Sequence, residues 1–306
     1  MKIGIIGTIN KDTIEYPDGT ARHGWGGMLY NLATLSHLVG KKAEIYPACF
    51  IGSDSYRPVK KILNKLDGIH FDFVNKVPEK NNHCHLTYRD SEDKTEILEG
   101  GVPPLTYRDV RAMEAMDIIL LNFVSGSDIH LSSLVKLRRF FKGTFYTDIH
   151  SFTLGKWPSG NRYLRFPKKW PYLAEVSDYL QLNRLELGVL LGWKFPVEPG
   201  SGNIRKALEK LTHRQEARPI DFTTRQVLVT DGARGAYLAR FSGRTPVISA
   251  VKPSRVIKSG DTTGCGDCFA AGFVAALARG KGVREAVTQA NRSGLARVRG
   301  DSMYSF

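Results

Sequence analysis

Residues 259–280 read SGDTTGCGDCFAAGFVAALARG. Polar residues give way to Gly264, Cys265 and Gly266, then to Asp267, and then to a strongly apolar helix expected over 269–279. Glycines let successive N–H groups converge on one point, and a helix N-terminus adds partial positive charge there. The turn therefore reads as an anion cradle, suited to the charge on a transferring phosphoryl group. Helix capping alone would account for Asp267. The glycines before it, together with Asp261, Thr262 and Thr263, exceed what a cap requires.

Outward from that turn, short apolar runs alternate with helical periodicity. Residues 1–7 (MKIGIIG) form a buried parallel strand ending in Gly. The polar stretch 8–27, with Pro17, Asp18 and Gly19 at its centre, reads as an exposed hairpin. Gly26 and Gly27 open a helix over 28–39 that Gly40 closes, and a strand over 43–51 follows. A second hairpin is expected over 83–101, turning at Ser91–Lys94. The alternation resumes with strands at 117–123 and 144–149 around a helix at 133–141. Further strands are expected at 179–182, 226–230 and 235–241, and helices at 184–191, 204–212 and 285–298. The pattern predicts one α/β domain over 1–306: a mostly parallel central sheet with helices on both faces, plus a small sheet from strands inserted at about 12–24 and 83–101.

At 306 residues with 42% hydrophobic and 24% charged residues, the composition is that of a globular chain with a sizeable core. No apolar run approaches the ~20 residues a membrane span needs. The N-terminus reads as the first strand of the fold, not as a signal peptide, so a cytoplasmic location without membrane partners is expected. A net charge of +14 suits anionic partners. Its clearest cluster, Lys156, Arg162, Arg165, Lys168 and Lys169, interleaves with Trp157, Tyr163, Phe166 and Trp170. Such a mixture can form a stacking groove for single strands. Without a nucleic-acid-binding motif it reads instead as a solvated loop anchored by its aromatics. Cys49, Cys84, Cys265 and Cys268 are too few for a disulfide framework, and no second ligand pair completes a zinc site with Cys265 and Cys268.

The segment Asp261–Asp267, DTTGCGD, closely resembles the DTTGAGD signature of the ribokinase-like (phosphofructokinase B type) carbohydrate kinases. Gly26-Gly27-Met28-Leu29-Tyr30-Asn31 is similar to that family's G-G-x-x-x-N. Asn183-Arg184-Leu185-Glu186 resembles its N-x-x-E, and Thr230-Asp231-Gly232-Ala233-Arg234-Gly235 its T-x-G-x-x-G. The four motifs occur in family order across almost the whole chain. The resemblance implies an ATP-dependent kinase that phosphorylates a hydroxyl of a small sugar or sugar-like substrate, with a nucleoside kinase as the alternative. A catalytically inactive protein that binds nucleic acid through the basic loop is a remoter one.

The same resemblance implies the site. Asp267 would be the general base, and the N–H groups of Gly264, Cys265 and Gly266 the anion hole. Glu186, with Asn183, would organise Mg²⁺ through water. Asn183, Thr230, Gly232 and Gly235 would line the nucleotide groove, with Asn291 near the adenine. Asn10 and Asp12 would hold substrate hydroxyls, and Gly26, Gly27 and Asn31 would close round the substrate. Backbone oxygens of Asp261 and Thr263 would ring a K⁺ ion. The inserted hairpins would form a β lid, often a homodimer interface as well. Three departures stand out: Cys265 replaces Ala, Met28 stands where ribokinases proper carry Lys, and residues 156–172 form a long insertion. Asp148 and His150 end a strand beside the expected pocket, where His150 reads as a structural histidine.

Overall fold

The computed structural model describes residues 1–89, 94–213, 225–243, 245–257, 261–301 and 303. Its first part contains β1 (Lys2–Ile6), β2 (Ile9–Glu15), β3 (Ala21–Gly27), α1 (Met28–Val39), β4 (Glu44–Gly52), α2 (Tyr56–Leu63), β5 (Phe73–Val77), β6 (His83–Tyr88) and β7 (Lys94–Glu99). A short helix, α3 (Tyr107–Val110), leads to β8 (Ile118–Asn122), α4 (Leu131–Phe140) and β9 (Thr144–Asp148). Next come β10 (Leu154–Lys156), β11 (Arg162–Leu164), α5 (Trp170–Val176), β12 (Tyr179–Asn183), α6 (Arg184–Leu190) and α7 (Ser201–His213). The last elements are β13 (Gln226–Thr230), β14 (Ala236–Ser242), β15 (Thr245–Val251), α8 (Cys265–Ala278) and α9 (Val283–Val298).

The main sheet runs in the order β15-β14-β13-β12-β9-β8-β1-β4-β5. Every neighbouring pair from β13 to β5 is parallel, whereas β14 and β15 are antiparallel. All five residues of β8 are buried, as expected for a parallel strand covered on both faces. One face packs Leu134, Phe145, Leu187 and Ile204. The other packs Leu29, Leu32, Phe273, Val274 and Ala290. Helix α8 is apolar nearly all round because α1, α9 and strands β8 and β9 all pack against it.

The second sheet, β3-β2-β6-β7, is the lid. Strands β2 and β3 are antiparallel, β2 and β6 parallel, and β6 and β7 antiparallel. Side chains alternate between its faces: Ile14, Cys84, Leu86 and Leu98 form a small inner core, while His83 and His85 lie on the outer face. The expected tip of the second hairpin lies largely outside the described residues. Among these residues, no helix is long and apolar enough to cross a membrane.

Several boundaries differ from those expected. Helix α8 begins at Cys265, not at Phe269, because Gly264 in a left-handed conformation serves as its N-cap. The glycine cradle is thus partly the first helical turn. The sequence reading also passes over α2, β5 and β15, where apolar residues are interrupted by lysines, by Pro78 or by Pro246. The insertion at 156–172 is built into the lid. It forms the hairpin β10–β11, and Leu98 N–H donates to Gly160 O at 2.9 Å. Two of its members are structural: Arg162, with a side chain only 4% exposed, donates to Ser125 O, and Trp170 is buried in the core.

Candidate active site

A cavity of about 230 Å³ lies between the lid and the carboxyl ends of β8, β9, β12 and β13. Its walls include Asn10, Asp12, Gly27, Leu86, Glu96, Val124, Asp148, His150, Thr230, Gly264, Gly266 and Asp267. This is the crevice at strand carboxyl ends where open α/β sheets bind ligands.

The start of α8 explains why glycine is needed there. Gly264 has φ +82°, and a Cβ on it would lie 2.5 Å from the Tyr30 ring. Thr263 N–H donates to Asp261 Oδ1 at 2.9 Å, and Cys265 N–H closes a turn onto Thr262 O at 3.1 Å. Gly266 and Asp267 sit in the first turn, whose N–H groups have no intrahelical acceptor and face the N-terminal side. Asn122 Nδ2 donates to Asp267 Oδ1 at 2.7 Å and to Asn31 Oδ1 at 2.8 Å. Asn31 Nδ2 in turn donates to the Asp267 carbonyl at 2.8 Å. Asn31 is fully buried, so it braces Asp267 from beneath, where a substrate contact had been expected. Asn122 was missed by the sequence reading. Its only local sign is a polar residue closing the apolar run of β8.

Near Gly264, the thiol of Cys265 lies 3.6 Å from Gly294 O, and burial pushes its pKa up to about 12. Cys268 is fully buried, and all four cysteines are free thiols. The pair therefore fills the helix interface and offers no reactive thiolate.

Next to Asp267 stands a group of acids. Burial pushes the Asp148 carboxyl well up, and the charges of Glu186 and Asp267 add to this while His150 opposes it. Gln181 Nε2 donates to Asp148 Oδ2 at 2.7 Å, and Gln181 Oε1 accepts from Tyr146. His150 lines the cavity, beside which its strand end was expected to lie, with Nδ1 at 3.3 Å from Glu186 Oε1. The surrounding protein disfavours a charged imidazole. The Glu186 bond and the neighbouring carboxylates outweigh that and raise it to about 9. Glu186 and Asn183 form a capping box at the start of α6, with Asn183 N–H donating to Glu186 Oε2 at 2.7 Å and Glu186 N–H to Asn183 Oδ1 at 2.9 Å.

On the other side, Thr230 lines the cavity and the glycine turn is held by Asp231 N–H donating to Gly235 O at 2.8 Å. Gly232 and Gly235 both have positive φ. Asp231 receives Arg234 Nε at 2.8 Å and also Arg184, the second residue of the N-x-x-E segment. Two motifs 47 residues apart are thereby clamped together. Asn291 does not line the cavity; its Nδ2 donates to Val251 O at 2.9 Å and holds α9 to the end of β15. The Asp261 carboxylate is met by Arg297 at 2.7 Å and Arg22 at 3.0 Å. Arg297 also lies over the Tyr30 ring, 5.0 Å from its centroid, so a guanidinium backs the cradle loop.

Asn10 and Asp12 face the cavity from β2. Asn10 Oδ1 is a buried acceptor without a protein hydrogen-bond partner. Gly26, opposite on β3, approaches Asp12 so closely that a Cβ would overlap its Oδ2. The wall thus brings the Asp267 carboxylate, the first turn of a helix and the polar side chains of Asn10 and Asp12 together within one small volume.

Comparison with known proteins agrees with this arrangement. The model of the pfkB family carbohydrate kinases matches residues 2–303. The cytidine kinase of Thermococcus kodakarensis is 25% identical over 304 residues, covering 98% of this chain and 95% of the relative. The ribokinase of Giardia lamblia has the same fold at a TM-score of 0.76 and 15% identity, covering 99% of this chain and 96% of that one. The nucleoside kinase of Burkholderia thailandensis, solved with inosine, superposes at 0.68 and 15% identity over 100% of this chain and 94% of its own. A family model matching nearly every residue, on a fold shared with those kinases, shows that the chain belongs to the pfkB family of carbohydrate kinases, ATP-dependent phosphotransferases acting on small polar substrates.

Proposed function

We propose that the chain transfers the γ-phosphate of ATP to a hydroxyl of an unphosphorylated sugar or sugar-like polyol, with Asp267 as general base. The observation that carries this reading is the carboxylate of Asp267, fixed by Asn122 at the mouth of α8, in the same cavity as Asn10 and Asp12. The hydroxyl oxygen forms the new P–O bond, the bond to the leaving ADP oxygen breaks, and the proton passes to Asp267. First-turn N–H groups stabilise the charge that spreads over the phosphoryl oxygens. Glu186, Asn183 and Asp148 offer only oxygen donors near this point, which fits a hard cation such as Mg²⁺. Such an ion would neutralise the nucleotide phosphates and relieve the crowding of carboxylates. The cradle loop has two guanidiniums against Asp261. Equal rates in potassium-free and potassium-rich buffer would assign its order to these alone.

The lining supports an uncharged acceptor. Among the described residues, Asp12, Glu96, Asp148 and Asp267 line the cavity together with His150, and no lysine or arginine does. A phosphate on the acceptor would therefore meet more carboxyl groups than the one cationic side chain, His150, offsets. The aromatics able to form a base slot are otherwise engaged. Met28 is fully buried, Trp25 packs against the core, Tyr16 stacks on Tyr88 at 6.1 Å, and Tyr30 reaches the cavity only from an almost fully buried position beneath Gly264. A mostly polar lining, with Tyr30, Cys84, Leu86 and Val124 as its apolar part, suits a polyol. The nearly full-length likeness to a cytidine kinase supports a second reading, a nucleoside acceptor held against that apolar part. Comparing kcat/KM for pentoses, hexoses, cyclic polyols, their monophosphates and the common nucleosides decides between them. A nucleoside preferred by ~100-fold, about 2.7 kcal/mol of transition-state binding, overturns the sugar reading. A preferred monophosphate overturns the charge argument.

A further inference from the structure

We propose that the outer face of the lid binds one divalent transition ion of the zinc class through His83, His85 and Glu99. The three residues offer ligand atoms that all lie within 4.8 Å of one another, on the face of the sheet turned away from the catalytic cavity. Strand alternation puts His83 and His85 on one face of β6, and antiparallel register places Glu99 of β7 directly opposite His83. The two imidazole rings are 3.9 Å apart at their centroids.

His85 Nε2 points to a missing ligand. This atom is shielded from solvent and makes no hydrogen bond; its polar neighbour is Glu99 Oε2 at 3.4 Å. A tetrahedral ion with bonds of about 2.0–2.1 Å holds its ligand atoms roughly 3.4 Å apart. The His85–Glu99 pair already has that spacing, and the Glu99 side chain is 62% exposed and free to adjust. Thr13 Oγ1, 2.9 Å from His83 Nε2 and 3.1 Å from His23 Nδ1, holds the His83 ring, as outer groups do around metal-bound histidines. Two imidazoles and one carboxylate form a set that suits zinc, with water as a fourth ligand, and not magnesium. The bound ion would pin β6 to β7 and stiffen the lid without touching the reacting atoms.

The test is calorimetric titration of the full chain, freed of metal, with Zn²⁺ in millimolar Mg²⁺ so that the phosphate-side carboxylates are occupied. One equivalent should bind, with at least a ~10-fold loss of affinity in His85→Gln and again in Glu99→Gln, a loss typical of altered metal ligation. Asp267→Asn should bind zinc as the wild type does. Co²⁺ should give a visible absorption band that both lid variants lose, and zinc should raise the melting temperature of the wild type but not of His85→Gln. Absence of stoichiometric binding, or equal affinity in wild type and lid variants, overturns the proposal. Loss of binding in Asp267→Asn would move the ion to the catalytic cavity and overturn it equally.

Discussion

At the scale of single residues the site divides into groups that meet the reacting atoms and groups that hold them. Replacing Asp267 by Asn should lower kcat by at least ~100-fold while leaving ATP affinity nearly unchanged, since general-base contributions are of order 10²–10⁴. Steady-state kinetics with direct nucleotide titration separates the two effects, and near-normal turnover would remove Asp267 from the role. Asn122 bonds Asp267 but does not itself line the cavity, so under the proposed reading it is a positioning residue. Asn122→Ala should lower kcat by ~10-fold, leave KM for ATP within about twofold, and spare the melting temperature more than Asn31→Ala does, because Asn31 bonds both Asn122 and the Asp267 carbonyl. The placement of Asp267 and its glycines at a cavity was legible in the sequence because the pattern is local: a turn, a helix start and an acid within seven residues. Asn122 was not, because its partners Asn31 and Asp267 lie 91 and 145 residues away and only the closing of the sheet brings them together.

At the scale of elements, strands and helices with a strong period were legible, and those diluted by polar residues or proline were not. The strand expected at 226–230 is β13 and the helix expected at 28–39 is α1, residue for residue. Helix α2, with Lys60 and Lys61 on its exposed side and only Val59 and Leu63 buried, presents too narrow an apolar stripe to stand out. The joining of elements is less visible still. Arg184 at the start of α6 and Arg234 after β13 meet on Asp231, whose side chain is only 1% exposed. Burial acts to raise the Asp231 pKa, but bonds and charge from Arg234 and Arg184 prevail and hold it below the usual carboxylate range. A carboxylate depressed on folding adds stability above its unfolded pKa, and that stability fades as pH falls through the folded value. Asp231→Asn should therefore cost about 3 kcal/mol near neutrality, as breaking a buried pair does. The gap between wild type and variant should narrow once pH drops below about 3.9. Urea unfolding of both proteins from neutral to acid pH measures it; a gap that stays constant would deny Asp231 its charge-dependent role.

At the scale of the whole molecule, the net charge of +14 and the acidic lining of the acceptor cavity pull in opposite directions. The summed positive field acts at a distance, drawing a polyanion such as ATP towards the surface. Within the cavity the close charges of Asp12, Glu96 and Asp267, partly offset by His150, act at short range, and the proposed uncharged acceptor would gain nothing from the distant field. The two substrates should therefore respond differently to salt. The Debye length shrinks from about 30 Å at 0.01 M to about 8 Å at 0.15 M, which removes most long-range steering but leaves contacts inside the cavity nearly intact. Over that range, kcat/KM for ATP should fall several-fold, while kcat/KM for the preferred acceptor, measured at saturating ATP, should change by less than twofold. A comparable fall for the acceptor would mean that it too arrives as an anion, which the cavity lining opposes. A flat response for ATP would mean that the positive charge lies too far from the nucleotide groove to steer it. The same experiment bears on the basic hairpin: Lys156 stands at the rim of the lid assembly, while Arg162 is already committed to Ser125 O. Replacing Lys156, Lys168 and Lys169 together by Gln should reproduce the salt effect on ATP in part, lowering its kcat/KM at low salt and leaving it unchanged at 0.15 M, where the Debye length is only about 8 Å. A loss equal at both salt concentrations would show direct contact with the phosphates in place of steering.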